Sequence, residues 1–139
     1  MSRQKNKSYA KYNNLVPKQD TDTTQEEIEI DIKSLENRKS ILEQNNVVCI
    51  YLWGDFCGPC KVIAPDYYKL AKKYYNPRKC RLMKENVELD LTEDYRITGV
   101  PAFIFYKNGN IVKNENGKII DIIGGDFNRV ESILNNLLK

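Results

Sequence analysis

The pattern of apolar and polar positions changes character near residue 28. Before that point Lys, Asn, Gln, Thr and Asp alternate with few apolar residues, and neither a helical nor a strand period is visible. Basic groups come first (Arg3, Lys5, Lys7, Lys11, Lys18) and acidic ones follow (Asp20, Asp22, Glu26, Glu27). This pattern predicts a flexible N-terminal arm over residues 1–25 and one domain over 26–139. From Ile28, the residues Ile28, Ile30 and Ile32 alternate with Glu29 and Asp31, which predicts a short half-exposed strand. Ser34 offers an N-cap to a brief helix carrying Leu35, Arg38, Ile41 and Leu42, with Asn45-Asn46 as its stop. Residues 47–53, VVCIYLW, are apolar throughout and rich in β-branched and aromatic side chains, which suits a central strand covered on both faces.

Gly54 to Cys60 interrupts that run, and a helix follows. Val62, Ile63, Tyr67, Leu70, Ala71 and Tyr74 fall at helical spacing, with Pro65 expected to kink the helix and Asn76-Pro77 to end it. Another strand is expected around Val87, Leu89 and Leu91, and Thr92 to Arg96 has room for a helical turn only. Ala102 to Tyr106 reads as a strand, and Lys107-Asn108-Gly109-Asn110 as a hairpin turn. Ile111-Val112 and Ile119 to Ile123 are strand-like. Gly124-Gly125 closes the sheet, and Asp126 caps a last helix with Phe127, Val130, Ile133, Leu134, Leu137 and Leu138 on its apolar face. Alternating strands and helices followed by a hairpin predict an α/β fold with a central mixed sheet flanked by helices on both faces.

Composition narrows the chemistry. Lys and Arg number 22 against 19 Asp and Glu, a net charge of +3 that disfavours capture of a nucleic-acid backbone. No apolar run is long enough to span a membrane, and no apolar core follows the basic N-terminus, so neither a membrane nor secretion is expected. A cytoplasmic location is the expectation. The bias toward Lys, Asn, Ile and Tyr fits an AT-rich coding genome; a large DNA virus as source would add association with the particle. There are no histidines, which removes Ser-His and Cys-His dyads and histidine metal ligands together.

Four cysteines remain: Cys49, Cys57, Cys60 and Cys80. Cys57 and Cys60 sit where a buried strand gives way to a helix, whose unpaired N–H groups and partial positive charge stabilise a thiolate. Pro59 lets the helix start at once, and Cys60, one turn in, lies within reach of a mixed disulfide at Cys57. A structural zinc site needs four ligands, but Cys49 falls in a buried strand and Cys80 is isolated. An inert cysteine pair is the other alternative, and an exposed helix start is a poor place for core filler. Redox chemistry is favoured over both, with no metal and no bound cofactor. Cys49 is expected to fill the core and Cys80 to be incidental.

The stretch Trp53-Gly54-Asp55-Phe56-Cys57-Gly58-Pro59-Cys60-Lys61-Val62-Ile63-Ala64-Pro65 closely resembles the active-site stretch of thioredoxins. Gly99-Val100-Pro101-Ala102-Phe103 resembles the family's second signature around a cis-proline, and Gly124 or Gly125 its glycine before the last helix. The resemblance covers residues 28–139 in order. It implies a thioredoxin-like fold and a disulfide oxidoreductase in which Cys57 attacks and Cys60 resolves. Its Gly58-Pro59 pair implies a reducing poise near roughly −270 mV. It further implies a cis Pro101 beside the cysteine pair, a Val100 backbone that binds an extended substrate segment, and a groove lined by Trp53 and Gly124. Disulfide-containing proteins would be the substrates, and a separate reductase the electron donor. A rival expectation is a binding or particle-associated module that keeps the fold with little or no turnover.

Three departures accompany the resemblance. Tyr51 stands where thioredoxins commonly carry a buried aspartate that helps deprotonate the resolving thiol. A phenol, with an ordinary pKa near ~10, is a poor base at neutral pH, so slow product release is the expectation. Phe56 replaces the tryptophan before the nucleophile, and Ala102 follows the proline where threonine is common. The N-terminal arm, the short region after residue 91 and the extra residues around Asn114 to Gly117 also depart from the usual form.

Overall fold

A computed structural model of the chain describes residues 24–91 and 99–139. The expectations for the arm before Thr24 and for the turn at 92–96 lie outside the described residues.

The most apolar segment forms the centre of the sheet. Strand β2 (Val47–Trp53) pairs in parallel with β3 (Cys80–Asn86) along its whole length, and antiparallel with β4 (Ala102–Lys107) on its other side. Beyond β3 lies the two-residue β1 (Asp31–Ile32), and beyond β4 lies β5 (Asn110–Ile111), giving the order β1-β3-β2-β4-β5. A further short strand, β6 (Asp121–Ile123), pairs with β4 beside β5. Because successive side chains of a strand point to opposite faces, β2 feeds two cores. Val47, Cys49 and Tyr51 pack with α3 (Gly58–Lys73) and α4 (Phe127–Leu137), whereas Val48, Ile50 and Leu52 pack with α2 (Leu35–Gln44). The mixed sheet with helices on both faces is therefore present.

Local signals set most helix ends. The Ser34 side chain accepts from the Asn37 amide, the Asp126 side chain accepts from the Arg129 amide, and Asn108 and Gly109 supply the two positive φ angles of the tight β4–β5 turn.

Four expectations need correction. The alternating segment 28–32 is not one strand: Thr24 caps a helical turn, α1 (Gln25–Ile28), and pairing begins only at Asp31. The expected strand around Val87 to Leu91 is instead a 3-10 turn over Val87–Leu89, and the strand precedes it. Its charged residues disguised it: Glu85 is fully buried and forms an ion pair at 3.2 Å with Arg38 of α2. Arg38 also donates to the Tyr106 hydroxyl and lies over that ring. Val62 has helical spacing but is 76% exposed. The segments at 111–112 and 119–123 are strand only at Asn110–Ile111 and Asp121–Ile123, although Val112 still donates to the Phe105 carbonyl at 2.8 Å.

Candidate active site

The junction of β2 and α3 builds the site. The chain leaves β2 at Trp53, turns through Gly54-Asp55-Phe56 and enters α3 with Cys57 as its N-cap. The Cys57 amide donates to the Gly54 carbonyl at 3.0 Å, and the Cys57 sulfur accepts from the Cys60 amide at 3.1 Å. Gly54 has a steric role: a Cβ there would come within 2.5 Å of the Phe56 ring, which lies over it while remaining 71% exposed. Glu88, which the sequence did not single out, accepts from the Asp55 amide at 3.0 Å and ties this loop to the 3-10 turn after β3. A carboxylate after an unrecognised strand gave no local signal of that role.

Cys57 and Cys60 are joined in a disulfide with their Cα atoms 5.3 Å apart. They are 4% and 2% exposed, respectively, while Gly58 and Pro59 between them are exposed. Cys49 and Cys80 are free and buried. Burial pushes the Cys80 thiol up to about 11 and the Cys49 thiol higher still, so neither is a ready nucleophile. Among the described residues no group of three His, Cys, Asp or Glu side chains is arranged to hold a metal ion, and no helix is long and apolar enough to cross a membrane.

The second signature comes to the same end of the sheet. The Val100–Pro101 bond is cis, and Val100 packs against the core cluster that contains Cys57 and Cys60. The Gly124 amide donates to the Pro101 carbonyl at 2.8 Å, with Gly124 in the left-handed region at φ +97. The ladders that β4 makes with β2 and β6 both end at Ala102, opposite Leu52 and Ile123, which leaves Val100 outside strand pairing among the described residues.

Behind the disulfide opens a cleft of about 600 Å³ bounded in part by Tyr51, Trp53, Cys60, Glu29 and Lys84. Tyr51 is 2% exposed, stacks on Phe103 at 5.4 Å between ring centres and donates its hydroxyl to the Cys60 carbonyl at 2.8 Å. Burial, reinforced by the charge of Glu29, pushes its pKa up to about 12. Trp53 Nε1 is buried and has no partner among the described residues. Glu29 is 4% exposed, and burial raises its pKa above the usual carboxylate value while Lys84 opposes the rise. Its sequence context, an alternating pattern, had placed it on an exposed strand face.

The thioredoxin family model matches residues 29–123, more than half of the chain. The chain belongs to the thioredoxin family. Among its relatives is the thioredoxin of Neurospora crassa, 34% identical over 103 residues, with 73% of this chain and 80% of the relative covered. Solved thioredoxin structures agree. That of Plasmodium falciparum superposes with a TM-score of 0.62 at 30% identity, covering 76% of this chain and 96% of the other. That of Schistosoma mansoni gives 0.63 at 30% identity, covering 77% and 93%.

Family membership and the closed Cys57–Cys60 pair make the chain a thiol–disulfide oxidoreductase. A binding module without turnover is not favoured. Thioredoxins act on disulfide-containing substrates and are reduced by a reductase, and this chain belongs among them.

Proposed function

We propose that this chain reduces protein disulfides in the cytoplasm, with Cys57 as the attacking thiol and Cys60 as the resolving one. The carrying observation is the position of Cys57 as the N-cap of α3, its sulfur accepting the Cys60 amide at 3.1 Å. In the dithiol state that hydrogen bond and the helix terminus favour a thiolate at Cys57. The thiolate attacks a substrate sulfur, a Cys57–substrate bond forms, and the first substrate thiolate leaves. The Cys60 thiolate then attacks the Cys57 sulfur, the Cys57–Cys60 bond forms, and the second substrate thiolate leaves. Two electrons pass to the substrate, and a separate reductase restores them.

An extended substrate segment binds as an added strand beside Val100, between Trp53 and Gly124. The ladders of β4 that end at Ala102 support this placement. The test is reduction of insulin by dithiothreitol, with and without the protein. Wild type accelerates the reaction, Cys57→Ser does not, and Cys60→Ser accumulates a mixed disulfide with insulin. A mixed disulfide that instead accumulates on Cys60 in Cys57→Ser would reverse the roles.

A further inference from the structure

Resolution requires the Cys60 thiol to lose its proton while 2% exposed, and burial resists that ionisation. The hydroxyl beside it is unsuited to accept the proton. Tyr51 commits its own hydrogen to the Cys60 carbonyl, and the surrounding core holds the phenol neutral far above pH 7. Another group on the same cleft has the required chemistry. Glu29, at the junction of α1 and β1, is the only carboxylate among the described residues that line it, and its amide is held by the Gln25 carbonyl at 2.8 Å.

Resting on the oxidoreductase reading above, we propose that Glu29 accepts the proton of Cys60 across this cleft during resolution. The carboxylate is nearly sealed from bulk water, and its counter-charge is Lys84 of β3, whose Nζ lies 3.9 Å away. The other groups that face it are Gln25 of α1, Asp31 of β1, Tyr51 of β2 and Tyr67 of α3. The two tyrosines are neutral at pH 7, so Lys84 and Asp31 are the charges that tune it. Desolvation makes Glu29 a stronger base than a solvated carboxylate, and Lys84 keeps it ionised and ready. In the step itself, the Cys60 S–H proton passes to the Glu29 carboxylate, directly or along water in the cleft. The resulting thiolate attacks the Cys57 sulfur, the Cys57–Cys60 bond forms, and the electron pair of the Cys57–substrate bond leaves on the substrate sulfur. Glu29 then returns its proton to solvent, past the exposed Lys61, Lys69 and Lys72 that line the same cleft.

Acting through Cys60 rather than on substrate, Glu29 is tested by readouts that a structural role would not move. Reduced protein is mixed with a disulfide peptide, and decay of the trapped mixed disulfide is followed from pH 5 to 9. The wild-type decay rate falls as pH drops through the Glu29 titration. Glu29→Gln slows decay at pH 7 by about tenfold or more and loses that limb of the profile, and Glu29→Asp restores part of the rate. Lys84→Met moves the limb to higher pH, and it decides the question should Glu29→Gln not fold. Unchanged decay in Glu29→Gln, or an unmoved limb in Lys84→Met, overturns the proposal. Absence of any Cys57 mixed disulfide in the wild type would instead overturn the oxidoreductase reading.

Discussion

Replacing Tyr51 separates what its ring does from what its hydroxyl does. The ring lies 4.8 Å from Tyr67 and 5.4 Å from Phe103 between centres, and the hydroxyl makes one hydrogen bond, to the Cys60 carbonyl. Tyr51→Phe keeps the ring and removes the bond. The helical pattern also pairs that carbonyl with the Ala64 amide, so it is not left without a donor. The cost then falls near the ordinary value of about 1 kcal/mol, a factor of about 5 in the unfolding equilibrium. Tyr51→Asp also empties the aromatic site, at roughly 3–5 kcal/mol, and buries a second carboxylate next to Glu29. Urea unfolding of the oxidised proteins at pH 7, followed by circular dichroism, measures both. The expected order is wild type, then Tyr51→Phe, then Tyr51→Asp, with the last step the larger. Mixed-disulfide decay in Tyr51→Phe should stay within about twofold of wild type, since the phenol donates to a backbone carbonyl and keeps its proton at pH 7. A Tyr51→Phe variant as unstable as Tyr51→Asp, or one whose decay slows tenfold, would refute the reasoning.

Stability should fall at alkaline pH, because Tyr51 and Tyr74 are each raised from 10.0 to about 12 in the fold. Their contribution is complete below pH 10 and is lost as pH rises through 12; urea midpoints between pH 8 and 11 measure it, and Tyr51→Phe should flatten the decline. Arg38→Met leaves the Glu85 carboxylate buried without its ion-pair partner and should cost about 3–5 kcal/mol in chemical denaturation, most of it recovered by adding Glu85→Leu. Iodoacetamide at pH 8 should label Cys57 of the reduced protein first, and Cys49 and Cys80 only after unfolding, as peptide mapping by mass spectrometry will show.

Local sequence determined the elements whose signals are local. The unbroken apolar run of β2, the Ser34 and Asp126 caps, the Asn108-Gly109 turn and the cysteine pair at a strand-to-helix junction were legible because each is specified within a few residues of itself. The resemblance to thioredoxins carried the cis bond before Pro101, and the structure brings Gly124 to it. Tertiary structure alone decided β3, Glu88 and Glu29. A strand reading CRLMKEN shows no half-buried alternation, since Glu85 is stabilised in the core by an arginine 47 residues earlier and Lys84 by a glutamate on another strand's approach. Glu29 sits in an alternating pattern that assigns it to solvent, yet α1 ends at Ile28 and β1 starts only at Asp31, and the turn between them swings the carboxylate into the cleft behind Cys60. Burial of a charge depends on a counter-charge and a cavity that distant segments supply, and a one-dimensional pattern records neither.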